Sequence, residues 1–297
     1  MNITITGSTG FVGTNLIHHL AGIHNFSRHK KNTNFYISED TDIVIHLAGK
    51  AHDILNLKNS EEYYRINTDF TKIVYDSFLI SNAKIFITLS SVKAVVDKLN
   101  YELTEEHKTD PKTHYGKSKL LAENYILHQS TSKDKRFYIL RPCMIHGPGN
   151  KGNLNLLYNI AVKGFPWPLG SFENKRSFCS IENLCFIINE LIENDKIPSG
   201  VYNISDDEPI STNDIIHLIS AGQKKKPHIW NVPQSLIKFF SKFGDVLRLP
   251  LNTERLSKLT ETYIVSNNKI KNAINKPLPI SSKEGLIKTF NSFKKNA

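Results

Sequence analysis

The opening thirteen residues constrain the fold more than any other stretch of the chain. Asn2-Ile3-Thr4-Ile5-Thr6 is a short run with the pattern of a buried strand. It passes directly into Gly7-Ser8-Thr9-Gly10-Phe11-Val12-Gly13, and then into a helical pattern carrying Leu16, Ile17 and Leu20. Strand, glycine-rich turn and helix in that order form the context that a dinucleotide-binding turn requires. Gly7 permits the tight turn, Gly10 lets the backbone approach a pyrophosphate, and Gly13 lets the helix pack close to the strand. The pyrophosphate would rest on the first turn of the helix, at Phe11, Val12 and Gly13, where free N–H groups and the positive dipole end converge.

Strand and helix patterns continue to alternate. A second strand is expected at about Ile23–Phe26, ending in Ser27-Arg28. No acid lies between Gly22 and Ser38 to accept a bond from a ribose 2′-hydroxyl. Arg28, with His29, Lys30 and Lys31 behind it, would instead suit a 2′-phosphate, or would belong to a basic loop that touches nothing. Little room remains there for a full second helix. Residues 41–49 read as a buried strand ending in the small residues Ala48 and Gly49, after Leu47, which would leave space for a cofactor. Residues 61–82 are helical in pattern with Asn67 midway, and Ile85–Leu89 is a further strand ending in Ser90-Ser91. This alternation predicts an α/β protein with a doubly wound parallel sheet. From Asn150 onward strand signals thin out and loops such as 165–170 appear. Residues 1–150 are therefore expected to form a dinucleotide-binding Rossmann-type domain, its sheet completed by later segments, and residues 151–297 mainly a smaller lobe.

Composition limits the function classes. The chain has 297 residues, 39% hydrophobic and 22% charged, as expected of a soluble globular protein. Its formal charge of +10 could serve nucleic acid, anionic lipid or a phosphorylated small molecule. The basic residues are spread out, with no run of five, so a nucleic-acid partner is not expected. Cys143, Cys179 and Cys185 show neither pairing nor metal spacing, and no metal is expected. No signal-peptide pattern opens the chain and no apolar run reaches about 18 residues, so a reduced, cytoplasmic setting is expected. Residues 235–248 put Leu236, Phe239, Phe240, Phe243, Val246 and Leu247 on one helix face, with Lys238, Lys242 and Arg248 elsewhere. That pattern suits either a helix packed in the smaller lobe or a basic helix lying on a membrane surface.

One further spacing carries chemistry. Tyr115 and Lys119 stand four residues apart on a helical run, so the phenol and the ammonium can share one face. Lowering a tyrosine pKa from about 10 to about 7 takes roughly 4 kcal/mol. A cation at about 4 Å with an effective dielectric near 20 supplies about that amount. Many solvated helices carry such a pair by chance. Ser91, however, ends a strand 24 residues earlier, and ligands of open α/β sheets bind outside the carboxyl ends of strands. A strand-end hydroxyl, a Tyr–Lys helix and the N-terminal glycine turn can meet in one crevice.

With these motifs the chain resembles the extended short-chain dehydrogenase/reductase family, in its nucleotide-sugar epimerase, dehydratase and reductase branch. The likeness rests on Gly7-x-x-Gly10-x-x-Gly13, His46-Leu47-Ala48-Gly49, Ser90-Ser91, Tyr115-x-x-x-Lys119 and Leu140-Arg141-Pro142-x-x-x-His146-Gly147-Pro148-Gly149. The resemblance implies Tyr115 as general acid/base and Ser91 as the partner of the reacting sugar oxygen. It implies Lys119 as the ligand of the nicotinamide ribose that also lowers the Tyr115 pKa, and Pro142 beside the carboxamide of NADP(H) or NAD(H). It implies that the smaller lobe holds a nucleotide sugar, UDP-linked by expectation, with Asn153, Leu169, Arg176 and Arg255 where relatives hold the diphosphate and uracil. Arginine suits a diphosphate because its fork donates bidentate bonds, although either arginine could equally be a surface residue.

The dehydratases of the family need an Asp-Glu pair directly after the strand-end hydroxyl; here Val92 and Lys93 follow Ser91. Dehydration is therefore not expected, and Lys93 could reach a substrate oxygen or phosphate. The run Ser90-Ser91-Val92-Lys93 resembles reductases of UDP-4-keto-6-deoxy-N-acetylhexosamines that make surface-polysaccharide precursors. Arg28 in place of an acid favours NADPH and so the same reading. The alternative is a UDP-hexose or UDP-N-acetylhexosamine 4-epimerase with retained NAD. A non-catalytic cofactor- or RNA-binding member of the fold is the lesser alternative. The sequence leaves open whether the chain acts alone or as a homodimer.

Overall fold

Four apolar runs, Ile3–Ile5, Ile43–Ile45, Ile85–Ile87 and Tyr138–Leu140, are buried on both faces, which only a parallel sheet covered by helices on either side provides. In the computed structural model, residues 1–29, 35–51, 60–99, 101–150, 153–247 and 252–294 are described, with the backbone alone for Arg28, His29, Asn153 and Val246. The chain opens with β1 (Asn2–Thr6), α1 (Phe11–Leu20), β2 (Asn25–His29) and β3 (Ile43–His46). It continues through α2 (Ser60–Tyr63), a π-helical turn (Tyr64–Asp69), α3 (Phe70–Ile80), β4 (Ile85–Leu89) and β5 (Glu102–Leu103). Next come α4 (His114–His128), β6 (Arg136–Pro142), β7 (Met144–His146), α5 (Asn153–Val162), β8 (Phe178–Ser180), α6 (Ile181–Glu193) and β9 (Gly200–Ile204). The last elements are α7 (Thr212–Gly222), α8 (Gln234–Leu247), α9 (Thr253–Thr260), β10 (Ile264–Val265), α10 (Asn268–Ile274) and α11 (Ser282–Lys294).

The main sheet is six-stranded and parallel, in the order β2-β1-β3-β4-β6-β9. Strand alternation distributes its side chains. Ile3, Ile5, Ile43, Ile45, Ile85 and Ile87 enter one core with Leu16 and Leu20 of α1 and Leu184 and Ile188 of α6. Val44, Phe86 and Ile139 enter the opposite core with Val74, Tyr75 and Phe78 of α3 and Ile126 of α4. Helices thus cover both faces, as the Rossmann-type reading predicts. The sixth strand, β9, comes from well past residue 150. A third core, built on Leu154, Trp167, Leu169, Phe178, Ile215 and Phe290, holds the smaller lobe together.

The second strand differs from expectation. It runs over Asn25–His29 instead of residues 23–26, and Ile23 is left exposed before it. Its partner dictates the shift: Asn25 pairs with Asn2 and His29 with Thr6, so the strand ends level with β1. Arg28 therefore lies inside the strand opposite Ile5, one residue short of its end. Lys30 and Lys31 of the expected basic cluster lie outside the described residues.

A buried ion pair fixes α4 to the sheet. Glu123 accepts from Arg141 Nε at 3.0 and 3.1 Å and from the Nη2 nitrogen as well, with side-chain exposures of 1% and 6%. Removing one partner leaves the other charge buried and unpaired, which costs about 3–5 kcal/mol. Arg141→Met should therefore destabilise the protein by that amount in urea unfolding, and adding Glu123→Met should recover most of it. A loss below about 1 kcal/mol in the single variant would show that the pair does not anchor α4.

Candidate active site

The sheet order reverses direction between β1 and β3, and the loops that follow these two strands face one crevice. Gly7 turns out of β1 with φ +71°, and a Cβ there would stand 2.6 Å from the Ala48 nitrogen and the Leu47 carbonyl carbon. Only glycine satisfies both the left-handed backbone and that contact. A Cβ on Gly13 would stand 2.3 Å from the Gly7 oxygen, so the start of α1 lies directly on the turn. Gly10 is different: its nearest neighbour would be the Gly7 oxygen at 3.3 Å, leaving its outer side for a ligand. As the residue before α1 it contributes no capping side chain, so the helix presents its first N–H groups openly. A dinucleotide pyrophosphate fits this end on charge and on donors.

The loop after β3 is held by a polar chain. Thr71 Oγ1 donates to the Asn67 carbonyl at 2.7 Å, so it must accept from His46 Nε2 at 2.9 Å. His46 Nδ1 then accepts from Thr6 Oγ1 at 2.7 Å, and Thr6 Oγ1 accepts from the Ala48 N–H at 3.3 Å. Burial, helped by the Lys119 charge, drops the His46 pKa to about 3, so the ring stays neutral and this tautomer is fixed. Asn67, fully buried in the π-helical turn, bonds both the N–H and the C=O of Lys50, at 2.8 and 3.1 Å, and reaches Ser118 of α4 at 3.0 Å. Leu47, Ala48 and Gly49 are thereby fixed on three sides. Neither His46 nor Asn67 carries a sequence signal for this job; a π-helical turn is invisible to 3.6-residue periodicity.

Ser91, Tyr115 and Lys119 come together beyond β4. Thr113 caps α4 by accepting from the Gly116 N–H, which starts the helix one residue before Tyr115. A Cβ on Gly116 would stand 2.3 Å from the Lys93 oxygen, so glycine at this position lets α4 approach the 92–94 turn. That approach allows the Ser91 hydroxyl to bond Tyr115. The Tyr115 pKa is nevertheless raised, because burial outweighs the Ser91 bond. This corrects the expected downward shift. The Lys119 ammonium turns toward the sheet instead, donating to the Leu89 carbonyl at 2.8 Å beside Gly49. Burial lowers its own pKa to about 8, partly offset by Glu123. Ser90 Oγ, buried next to Ser91, has no hydrogen-bond partner among the described residues. Pro142 ends β6 at the same edge of the sheet.

The remaining predicted contacts separate into two groups. Lys93 and Arg176 lie close enough for the Arg176 charge to depress the Lys93 pKa, which burial chiefly brings to about 8. Lys93 Nζ donates to the Asp97 carbonyl and sits 4.1 Å from the centre of the Tyr263 ring. Arg176, its pKa lowered by burial, donates to the Lys258 carbonyl of α9. Tyr263, which the sequence did not single out, ties the two segments by donating to the Val96 carbonyl at 2.8 Å. Arg255 is exposed on α9. Leu169 is only 3% exposed, and its side chain lies in the smaller lobe's core. Asn153 begins α5, with its side chain outside the described residues.

The Lys119 shift has a testable sign. Its folded pKa of about 8 lies below its ordinary 10.5, so between these values the unfolded chain binds more protons and stability rises with pH. Relative to Lys119→Met, the unsubstituted protein should gain about 3 kcal/mol in urea unfolding as pH rises across that window. A constant difference across the window would mean that Lys119 titrates normally.

Comparison with known proteins places this crevice in context. UDP-glucose 4-epimerase from Vibrio cholerae is 29% identical over 320 residues, covering 98% of this chain and 95% of that protein. An N-acetyl-alpha-D-glucosaminyl-diphospho-ditrans,octacis-undecaprenol 4-epimerase from Escherichia coli O157:H7 is 27% identical, covering 91% and 84%. UDP-glucuronic acid 4-epimerase from Bacillus cereus, solved in complex with NAD, superposes with a TM-score of 0.77 at 18% identity over 99% of both chains, a likeness of fold. The model of the NAD dependent epimerase/dehydratase family matches residues 3–205, and the chain belongs to that family.

Proposed function

We propose that this protein is an NAD(P)-dependent oxidoreductase acting at C4 of a UDP-linked sugar, in the direction of a 4-keto-6-deoxy-N-acetylhexosamine reductase. The observation that carries the direction is the run Ser90-Ser91-Val92-Lys93 at the end of β4, which resembles reductases of such sugars; the buried Tyr115 bonds Ser91 there, and burial raises its pKa. A phenol that keeps its proton at neutral pH is an acid, and reduction of a ketone needs an acid at the carbonyl oxygen. Bound over the glycine turn and the strand ends, a dihydronicotinamide supplies the hydride that adds to C4. Tyr115 then gives its proton to O4 while Ser91 holds that oxygen, and Lys119 bonds the ribose. Gly7, Gly10, Phe11, Val12, Gly13, Leu47, Ala48, Gly49 and Pro142 would line the dinucleotide. Lys93 and Arg176, two cations near enough for the charge of one to act on the other, suit the diphosphate of the substrate. Val92 and Lys93 after Ser91 leave no acid pair for dehydration.

A second reading, the 4-epimerase with retained NAD, is favoured by the Vibrio cholerae relative. It would need Tyr115 to begin as a base. The free and buried state of all three cysteines supports a reducing, cytoplasmic setting. The outer faces of α3 and α4, where Ile73, Ile80, Leu121 and Leu127 stand exposed, suit a homodimer contact.

The purified protein should oxidise NADPH with a UDP-4-keto-6-deoxy-N-acetylhexosamine and should not interconvert UDP-hexoses. Tightly retained NAD together with UDP-hexose interconversion would establish the epimerase instead. Tyr115→Phe should lower kcat by about 10²–10⁴-fold with cofactor affinity nearly unchanged; lost cofactor binding would make the tyrosine structural. Arg28→Asp should shift preference from NADPH toward NADH, and an unchanged ratio would remove Arg28 from the ribose site.

A further inference from the structure

The outer face of α8 is the largest apolar feature that the catalytic reading does not use. Ile237, Ser241 and Gly244 are buried and seat the helix on the smaller lobe, and Gln234 Nε2 donates to the Ser171 carbonyl at its start. On the other side Leu236, Phe239, Phe240, Phe243 and Leu247 are all about half exposed or more, from 47% to 63%. At 3.6 residues per turn these five fall within about 100° of arc. Lys242 and Lys238 follow about 60° and 100° beyond one edge of that arc, and both are exposed. The helix is thus packed in the lobe through one narrow stripe, while its aromatic face points outward.

Charge indicates what covers that face. Residues 224–248 hold Lys224, Lys225, Lys226, Lys238, Lys242 and Arg248 against the single acid Asp245. This net +5 is half of the chain's +10, within one short segment. Arg248 lies outside the described residues. The Asp245 carboxylate accepts from the N–H and hydroxyl of Thr253, so it is turned to the start of α9 and not to the lysines of α8. Trp230, also exposed, precedes the helix, and tryptophan favours the boundary between apolar and aqueous phases. A second copy of this chain meeting the face two-fold would bring two such basic segments together. An anionic surface with an apolar interior matches both the lysines and the phenylalanines.

We propose that α8 docks the protein on the surface of an acidic phospholipid bilayer, with its aromatic face in the acyl boundary, Lys242 reaching the headgroups from the flank, and Lys238 adding to the positive field behind it. None of the described helices is long and apolar enough to cross a membrane, so the attachment is to the surface. Docking uses no residue of the catalytic crevice and is independent of which sugar is turned over.

The test is co-sedimentation of the full chain with vesicles of phosphatidylcholine, alone or with about 30% phosphatidylglycerol, at low and high salt. The protein should pellet with the acidic vesicles and be released by salt. Phe239→Ser with Phe243→Ser, and separately Lys238→Glu with Lys242→Glu, should each weaken binding at least about tenfold, while circular dichroism and turnover in solution stay unchanged. Equal binding to neutral vesicles, no pelleting at all, or unchanged binding in the double variants would overturn the proposal. A sedimentation coefficient that falls to the monomer value only in the phenylalanine variant would overturn it in favour of a second copy.

Discussion

The bidentate pair between Arg141 on β6 and Glu123 on α4 sits between sheet and helix, and the catalytic geometry is built outward from it. Two charges withdrawn from water are tolerated there because the planar guanidinium matches the carboxylate edge to edge. One turn before Glu123, Lys119 is buried against the end of β4, and one turn earlier Tyr115 meets Ser91. A single rigid helix therefore carries the anchor, the cation and the phenol at successive turns. Glu123 also holds part of the Lys119 charge in place, so one carboxylate serves two buried cations. Sliding α4 by one residue would break the anchor and empty the site together.

The second support is the polar chain from Asn67 through Thr71, His46 and Thr6 to Ala48. Each member has its hydrogen-bonding role forced by its neighbour, so the chain has one arrangement. It joins the ends of β1 and β3 across the point where the sheet order reverses, where a pyrophosphate and its adjoining ribose would lie. The π-helical turn makes this feasible by turning Asn67 inward between Lys50 and Ser118. A regular helix over residues 60–80 would keep the apolar packing of α3 and lose that inward projection.

How much of this could be read in the sequence follows from what each feature depends on. Strand alternation and the glycine turn are local, and β1, β3, β4 and the start of α1 stand where periodicity puts them. The second strand moved because an edge strand takes its register from its neighbour, and Asn25 and His29 carry no apolar signal of it. Tyr115 and Ser91 were legible as a pair of residue types at one sheet edge. The direction of the Lys119 side chain was not, since four-residue spacing places two side chains on a face without deciding which neighbour each prefers. Gly116 belongs with these: its value lies in its contact with the Lys93 carbonyl, 23 positions earlier in the chain, not in its own helix. Leu169 was named by resemblance alone, and its side chain lies in the core of the second half of the chain.

Burial acts on the two titrating groups of the site in opposite senses, and this bears on the chemistry. A dry environment disfavours charge, so it raises a phenol and lowers an amine. Both shifts occur here: Tyr115 goes up and Lys119 comes down to about 8. On an alkaline titration Lys119 therefore loses its proton first, and Tyr115 keeps its own throughout the neutral range. A neutral dihydronicotinamide over such a site would leave that order intact. Oxidation of a sugar hydroxyl would start from the phenolate, which this environment resists until a positive charge is placed beside it.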